Sequence, residues 1–225
     1  WWSKRTITMN STSRYYLAAS AWKTDTLILT GGEAHHCVRV LRSKKGDTVE
    51  VFDGCGMSAV GEITDISKEK VVISLTSEIK CSAKSSEIHL CQAIPKGGNM
   101  ELIVQKAVEL GVTSIQPLIT ENTVASISKP EQLKKKQEKW QRIALEACKQ
   151  CGQNYLPVVY PAMKFSEFVR AANLHELNIV AALHPQSVDF SAVFPTEKKT
   201  ASLLIGPEGD FSDSEYEQVI ELGYQ

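Results

Sequence analysis

Residues 201–215 read Ala-Ser-Leu-Leu-Ile-Gly-Pro-Glu-Gly-Asp-Phe-Ser-Asp-Ser-Glu, and no other stretch limits the possible folds of this chain so strongly. Leu203-Leu204-Ile205 has the length and flanks of a buried strand. The run breaks at Gly206-Pro207, where glycine permits unusual backbone angles and proline bars further pairing. Ser212 and Glu215 then have the spacing of a capping box, which starts a helix. A buried strand passing through a glycine-rich loop into a helix N-terminus is how α/β proteins build a ligand crevice. The loop holds one acid, Glu208, between Pro207 and Gly209. The same residues also fit a plain strand-to-helix turn.

The rest of the chain divides by period. Residues 12–80 read as β-rich. Leu27–Leu29 is a short strand ending at Gly31-Gly32, Thr48–Phe52 alternates and stops at the turn dipeptide Asp53-Gly54, and Ala59–Ile63 and Val71–Leu75 follow. Short strands at this spacing predict a small barrel, interrupted by a helical piece from Ala34 to Arg42 with Val38 and Leu41 on one face. Lys80–Ser86 has neither period and reads as a linker. From residue 86 strands alternate with helices. The strands are Ile88–Ala93, Ser114–Ile119, Leu156–Tyr160, Ile179–Leu183 and Ser202–Ile205. Asn99 is placed to cap a helix with apolar positions at Met100, Ile103, Val104, Ala107 and Val108. Gly111 sits where a C-terminal glycine belongs. A long helix runs from Pro130 to Gln150, and others start near Ser166 and Ser212. That alternation predicts a mostly parallel sheet covered on both faces.

Composition mainly excludes. No run of 18 apolar residues exists, so no transmembrane helix is expected. Lys4 and Arg5 lack the apolar core of a secretory signal behind them. The first methionine is Met9, and the eight residues before it read as an added or upstream extension. The net charge is −1, so contact with nucleic acid must come from a local patch. The six cysteines are scattered, and only Cys148 and Cys151 have a ligand-like spacing with no second pair to complete a zinc site. Free thiols, no metal and a reducing, cytoplasmic setting are the expectation.

Three clusters can carry chemistry. The first is Arg14 with His35, His36, Arg39, Arg42, Lys44 and Lys45, a stretch that has no acid between 35 and 45. On a helix His35, Arg39 and Arg42 share a side, which suits phosphate contacts or a merely charged surface. His35 and His36 are adjacent, point different ways and make poor joint metal ligands. The second cluster is Lys96 with Glu101, Gln105, Lys106 and Glu109, where Lys96-Gly97-Gly98 leads into a helix N-terminus suited to an anion; Lys106 and Glu109 also fit a simple i,i+3 pair. The third is the pair of strand ends Leu183-His184-Pro185 and Ile205-Gly206-Pro207-Glu208-Gly209, both at the carboxyl ends of predicted parallel strands. No G-x-G-x-x-G is present, which disfavours a Rossmann-type nucleotide site.

Gly206-Pro207-Glu208-Gly209 after an apolar strand resembles the cofactor loop of the SPOUT methyltransferases, knotted α/β enzymes that use S-adenosylmethionine. Upstream, Gln105-Lys106-Ala107-Val108-Glu109-Leu110-Gly111-Val112 resembles a second signature, as does Ala144 through Gly152 followed by Pro157. In this order the three resemble the RsmE family, and the resemblance runs from about Arg14 to the last residue. It implies a PUA-like β-barrel for RNA over residues 12–80 and a SPOUT α/β knot domain over 86–225. It implies methyl transfer from S-adenosylmethionine to N3 of a uridine in small-subunit (16S) ribosomal RNA, by a homodimer. On this reading Leu183 and Ile205 form an apolar slot for the cofactor's adenine. His184, Gly206, Pro207 and Gly209 line the backbone side, and Glu208 lies near the chemistry as base or sulfonium partner. Arg14, His35, His36, Arg39, Arg42 and Lys96 face RNA.

The chain departs from the family at three points. It stops at Gln225, where the family continues with a strand and a Leu-Arg-x-Glu-Thr-Ala segment that forms the second half of the knot; the expectation is that more of the protein lies beyond. Asn122 stands where the family usually has an arginine, and Gln153 stands in place of the arginine of a common Gly-Arg. These departures keep two other readings open, a non-catalytic RNA-binding protein of the same fold and a SPOUT enzyme acting on another RNA.

Overall fold

The computed structural model describes residues 12–22, 24–84, 87–123, 130–171, 174–185, 187–193, 197 and 199–225. The extension before Met9 lies outside the described residues, as do Ser85 and Ser86 of the expected linker. Two compact units divide the chain between Ser82 and Ala83.

The first unit is one sheet of β1 (Ser13–Tyr16), β2 (Thr26–Thr30), β3 (Thr48–Phe52), β4 (Met57–Ile66), β5 (Lys70–Leu75) and β6 (Lys80–Cys81). The order is β1-β3-β4-β5-β2, with β6 on β4. Alternation does the placing: β2 buries Leu27 and Leu29 and exposes Thr26, Ile28 and Thr30. Tyr15 of β1 and Leu27 of β2 come from opposite ends of the sheet yet share one core with Val51, Ile63 and Ile73. The sheet therefore curls around its core, and the expected barrel is a half-barrel: β1 and β2 do not pair with each other among the described residues. Gly61 lets β5 approach β4 closely, because a Cβ there would lie 2.5 Å from the Ile73 side chain and 2.7 Å from the Ser74 carbonyl.

The helical piece begins earlier and ends earlier than the sequence suggested. α1 (Gly31–His35) passes directly into a π turn over His36–Val40, closed by Leu41 N–H donating to His36 O at 3.0 Å. The wider turn shifts the register, so Ala34 and Cys37 are buried while Leu41 is 44% exposed.

The second unit is a parallel sheet of β7 (Ile88–Ala93), β8 (Ser114–Ile119), β9 (Val158–Val159), β10 (Met163–Lys164), β11 (Leu177–Ala181) and β12 (Ala201–Ile205). Its order is β10-β8-β7-β12-β11, with β9 on β8. The helices are α2 (Asn99–Glu109), α3 (Pro130–Cys151), α4 (Phe165–Ala171), the short α5 (Phe190–Val193) and α6 (Asp213–Glu221). Leu118, Leu204, Phe165, Phe168, Phe211 and Val219 share a core, so α4 and α6 pack together with the sheet. The fully buried Leu118 and Leu204 are each worth about 1.5–3 kcal/mol relative to exposure. On α3, Gln141 is tied to β9 by accepting from Val159 N–H at 2.8 Å.

Helix ends follow the sequence with one correction. Gly98, not Asn99, occupies the N-cap of α2, and no side chain caps that end. At the other end Gly111, with φ +84°, lets Val112 N–H reach Ala107 O at 3.0 Å and its own N–H reach Val108 O at 2.9 Å. The expected strand Leu156–Tyr160 is two residues long. Pro157 and Pro161 flank it, and proline supplies no ladder donor. β11 ends at Ala181, two residues before the expected boundary.

Candidate functional site

In the sheet of the second unit the chain leaves β7 toward β8 on one side and later returns on the other through β12. The switch point therefore lies between β7 and β12, and open parallel sheets bind ligands beyond the carboxyl ends of strands there. Three other loops converge on the loop after β12 at this point. The Glu208 carboxylate accepts from Lys96 N–H, in the loop after β7, at 3.1 and 3.2 Å. Asn122 Nδ2, in the loop after β8, donates to Gly209 O at 3.2 Å and to Asp210 O at 3.0 Å. Asp210 Oδ2 accepts from Leu183 N–H, in the loop after β11, at 3.0 Å.

The capping box at the start of α6 is complete. Ser212 Oγ accepts from Glu215 N–H at 3.3 Å, and Glu215 Oε2 accepts from Ser212 N–H at 3.2 Å. Glu215 is buried, and its second oxygen accepts from Glu121 N–H at 2.9 Å, so the cap also holds the β8 loop. Asn122 thus supplies an amide that holds the β12 loop.

Protein atoms crowd the first glycine of this loop, whereas the second would meet its neighbour only in ordinary contact. A Cβ on Gly206 would lie 3.0 Å from Asp210 Oδ1 and 3.2 Å from the Phe211 ring, and one on Gly209 would lie 3.5 Å from Asn122 Cβ. Asp210 has φ +58°, a left-handed conformation that aspartate adopts more readily than most residues but less readily than glycine. The Glu208 carboxyl is held below the usual carboxylate range by its own backbone amide first and by that of Lys96 next. It stays ionised with both oxygens engaged, which suits an anchor better than a proton acceptor.

An apolar cavity of about 530 Å³ opens between β11, β12, α6 and the segment around Val188 and Phe190; Ile179, Leu203, Tyr216 and Ile220 line it. Its size is that of cofactor pockets. Beside it, His184 stacks on Tyr216 with centroids 4.0 Å apart, over a second hollow edged by Asp213, Glu217 and Glu221. Of the residues singled out from sequence, His184 and the 206–209 loop stand at these strand ends. Leu183 is 98% exposed and Ile205 half-buried, and neither lines either hollow. Leu203 and Tyr216 line the apolar cavity. Alternation along β12 points to Leu203, one residue before the buried Leu204, and the capping box places Tyr216 one position past its glutamate in the first turn of α6.

Among the described residues no group of three His, Cys, Asp or Glu side chains gathers as a metal site. Burial pushes the Cys91 thiol up to about 11 and the Tyr224 phenol up to about 12, so both stay neutral in the network that joins them through Ser202.

In the first unit the basic candidates separate. The Arg14 Nε lies 2.9 Å from Glu50 Oε2, its guanidinium lies 4.6 Å from the Phe52 ring centre, and its side chain is 7% exposed. It is a structural residue in this fold. His36 is partly buried with its ring edge-on to Tyr15. His35, Arg39, Arg42, Lys44 and Lys45 are exposed, and Arg42 carries φ +55°. Tyr15 OH to Ser43 Oγ at 3.0 Å and Lys44 N–H to Asp47 Oδ2 at 2.7 Å hold the chain directly after Arg42. Lys96 belongs to the second unit; its side chain is exposed and its amide is spent on Glu208.

Comparison with known proteins bears on both units. A family model described as the RNA methyltransferase domain matches residues 82–225, and one described as the RNA methyltransferase PUA domain matches residues 29–76. The chain is 32% identical over 205 residues to ribosomal RNA small subunit methyltransferase E of Bacillus subtilis, covering 87% of this chain and 79% of that protein. It is 29% identical over 197 residues to the protein of that name from Buchnera aphidicola of Acyrthosiphon pisum, covering 87% and 77%. Among solved structures it is similar to a putative methyltransferase from Legionella pneumophila in complex with the bound cofactor SAM. The TM-score is 0.84 and the identity 33%, with 95% of this chain and 87% of that one covered. A ribosomal RNA small subunit methyltransferase E from Neisseria gonorrhoeae bound to S-adenosyl methionine gives a TM-score of 0.83 at 27% identity, with the same coverage.

Proposed function

The chain belongs to the RNA methyltransferase family of ribosomal RNA small subunit methyltransferase E, and on that premise we propose that it methylates N3 of a uridine in small-subunit ribosomal RNA with S-adenosylmethionine. The observation that carries the reading is the four-loop convergence at the β7–β12 switch point, beside an apolar cavity of cofactor size.

The residues present fit the cofactor in kind. Leu203, Ile179 and Tyr216 offer an apolar slot, the 206–209 loop offers backbone groups, and the acids at 213 and 217 offer negative potential for a sulfonium. When bound, S-adenosylmethionine supplies an electrophilic methyl group. The protein's part is positioning, which dominates a displacement of this kind. Glu208 holds the loops after β7 and β12 at a fixed separation, and His184 closes the side of the slot by stacking on Tyr216. The exposed Lys96 side chain, with Arg39, Arg42 and His35 of the first unit, meets RNA phosphates. Arg14 and His36 support the half-barrel from within.

The proposal gives residues 12–80 the task of holding RNA and residues 86–225 the transfer, in a cytoplasmic homodimer. Sedimentation velocity tests the assembly, with a single species at the monomer mass as the contrary result. No helix among the described residues is long and apolar enough to cross a membrane.

The experiment for the activity is transfer of labelled methyl to small-subunit particles and to bare 16S RNA, with the modified nucleoside identified by mass spectrometry. Incorporation as 3-methyluridine is expected. Cofactor binding without transfer to either RNA would favour another target, and no cofactor binding would favour a non-catalytic RNA binder. Glu208→Ala is expected to abolish transfer with the thermal midpoint within a few degrees. Glu208→Gln, which keeps an acceptor for Lys96 N–H, should recover much of the rate. Equal loss in both variants would mean that Glu208 takes the proton after all.

A further inference from the structure

We propose that Asp210 is a positioning residue for the cofactor site, pinning the loop after β11 to the loop after β12, with Asn122 bracing it from the β8 side. The inference rests on the reading of this crevice as the S-adenosylmethionine site.

Its starting point is an uncommon backbone conformation. Asp210 and Arg42 are the two non-glycine residues with positive φ among those described. Such conformations persist where the surroundings over-determine them, and they gather at functional sites. At Asp210 the surroundings are explicit. The backbone N–H donates to Pro207 O at 2.9 Å, closing a turn. The carbonyl accepts from Asn122 at 3.0 Å. Oδ1 accepts from Phe211 N–H at 2.8 Å and fills the space that Gly206 leaves open. Oδ2 is left to reach Leu183, 27 positions away in sequence.

That last bond has unusual weight because of what surrounds Leu183. The residue lies beyond the end of β11, so no ladder holds it, and its side chain is 98% exposed, so no packing holds it. Ser187 holds Ala182 and His184, the neighbours of Leu183, through its hydroxyl, at 2.9 and 3.2 Å, and the amide of Leu183 on Asp210 is the contact that ties this point of the chain to the loop after β12. Directly after it comes His184, which stacks on Tyr216 at the wall of the apolar cavity. A glycine at 210 would adopt the turn without strain; the carboxylate adds the cross-loop bond. Asp210 therefore trades local comfort for a fixed β11 loop, and through His184 and Tyr216 for a fixed cavity wall.

The test uses Asp210→Gly, which keeps the turn and removes both side-chain bonds, and Asp210→Asn, which keeps the shape with one acceptor oxygen. Calorimetry with S-adenosylmethionine should show at least a ten-fold loss of affinity for Asp210→Gly and about three-fold for Asp210→Asn. The thermal midpoint of Asp210→Gly should not fall. Amide exchange read by NMR should speed up at Leu183 in Asp210→Gly and stay unchanged at Val219 in the core of α6. Parent-like affinity in Asp210→Gly, or equal acceleration at both amides, would overturn the proposal. Failure of the parent itself to bind would instead overturn the cofactor reading on which the proposal rests.

Discussion

The loop around Arg42 and the loop around Asp210 begin from the same awkward geometry, a side-chain-bearing residue in the left-handed region. They use it in opposite directions. In the first unit the π turn and the bonds at Ser43 and Lys44 fix the backbone, and the charges of Arg39, Arg42, Lys44 and Lys45 are left exposed. In the second unit the carboxylates of Glu208, Asp210 and Glu215 are spent on backbone amides of other loops. Outward cations on a rigid frame suit a polyanion whose contacts are exchanged with solvent and salt. Inward carboxylates suit a small ligand whose pocket must be built before it arrives.

Breaking the footing of the inward loop should have the largest effect. Leu204 is fully buried one residue before Ile205, and Leu204→Ala should cost about 2–5 kcal/mol in urea unfolding. A loss below 1 kcal/mol would mean that the sheet end is too loosely packed to preorganise anything. The next effect separates structural from outward charge. Arg14→Ala should cost about 1–3 kcal/mol, through the Glu50 contact and the packing on Phe52. It should leave the salt dependence of RNA binding unchanged, whereas Arg39→Ala and Arg42→Ala should each flatten that dependence by about 0.7–0.9 in log–log slope without loss of stability. A flatter slope in Arg14→Ala would return that residue to the RNA face.

The smallest effect is a pH slope confined to the second unit. His89 stacks on His175 at 4.2 Å and shares a 2.7 Å hydrogen bond between its Nδ1 and Ser114 Oγ. Burial first, and the neighbouring His175 charge next, hold His89 below its ordinary value. The folded state therefore binds fewer protons there than the unfolded one. Stability is complete above about pH 6.5 and declines as the pH falls from there toward the lowered folded value. Urea midpoints at pH 7.5 and 5.5 should show this decline, and His89→Phe should lessen it; an unchanged slope would exclude the pair as its source.

Much of this was legible in the sequence where the cause is local. The apolar run, the Gly-Pro break and the Ser212–Glu215 box lie within fifteen consecutive residues, and each appears as read. Gly111 ends α2 because only the residue's own backbone freedom decides that turn. What escaped depends on partners far along the chain. Glu208 meets Lys96 across 112 positions, and Arg14 meets Glu50 across two strands, so neither anchor shows a local signal. Leu183 resembles the end of a strand by composition, yet β11 stops at Ala181 and leaves it exposed. Gly206 reads as an opening for a ligand, and no local signal shows that the side chains of Asp210 and Phe211 come within 3.0–3.3 Å of a Cβ there.

The contrast between the two loops is tested most directly by a crossed measurement. Affinity for S-adenosylmethionine and affinity for small-subunit ribosomal RNA would be determined for the parent, for Arg39→Ala/Arg42→Ala and for Asp210→Gly. The account predicts that the arginine variant loses RNA affinity and keeps the cofactor, and that Asp210→Gly loses the cofactor and keeps RNA. If either variant weakened both ligands to the same degree, the division between an outward and an inward loop would be wrong.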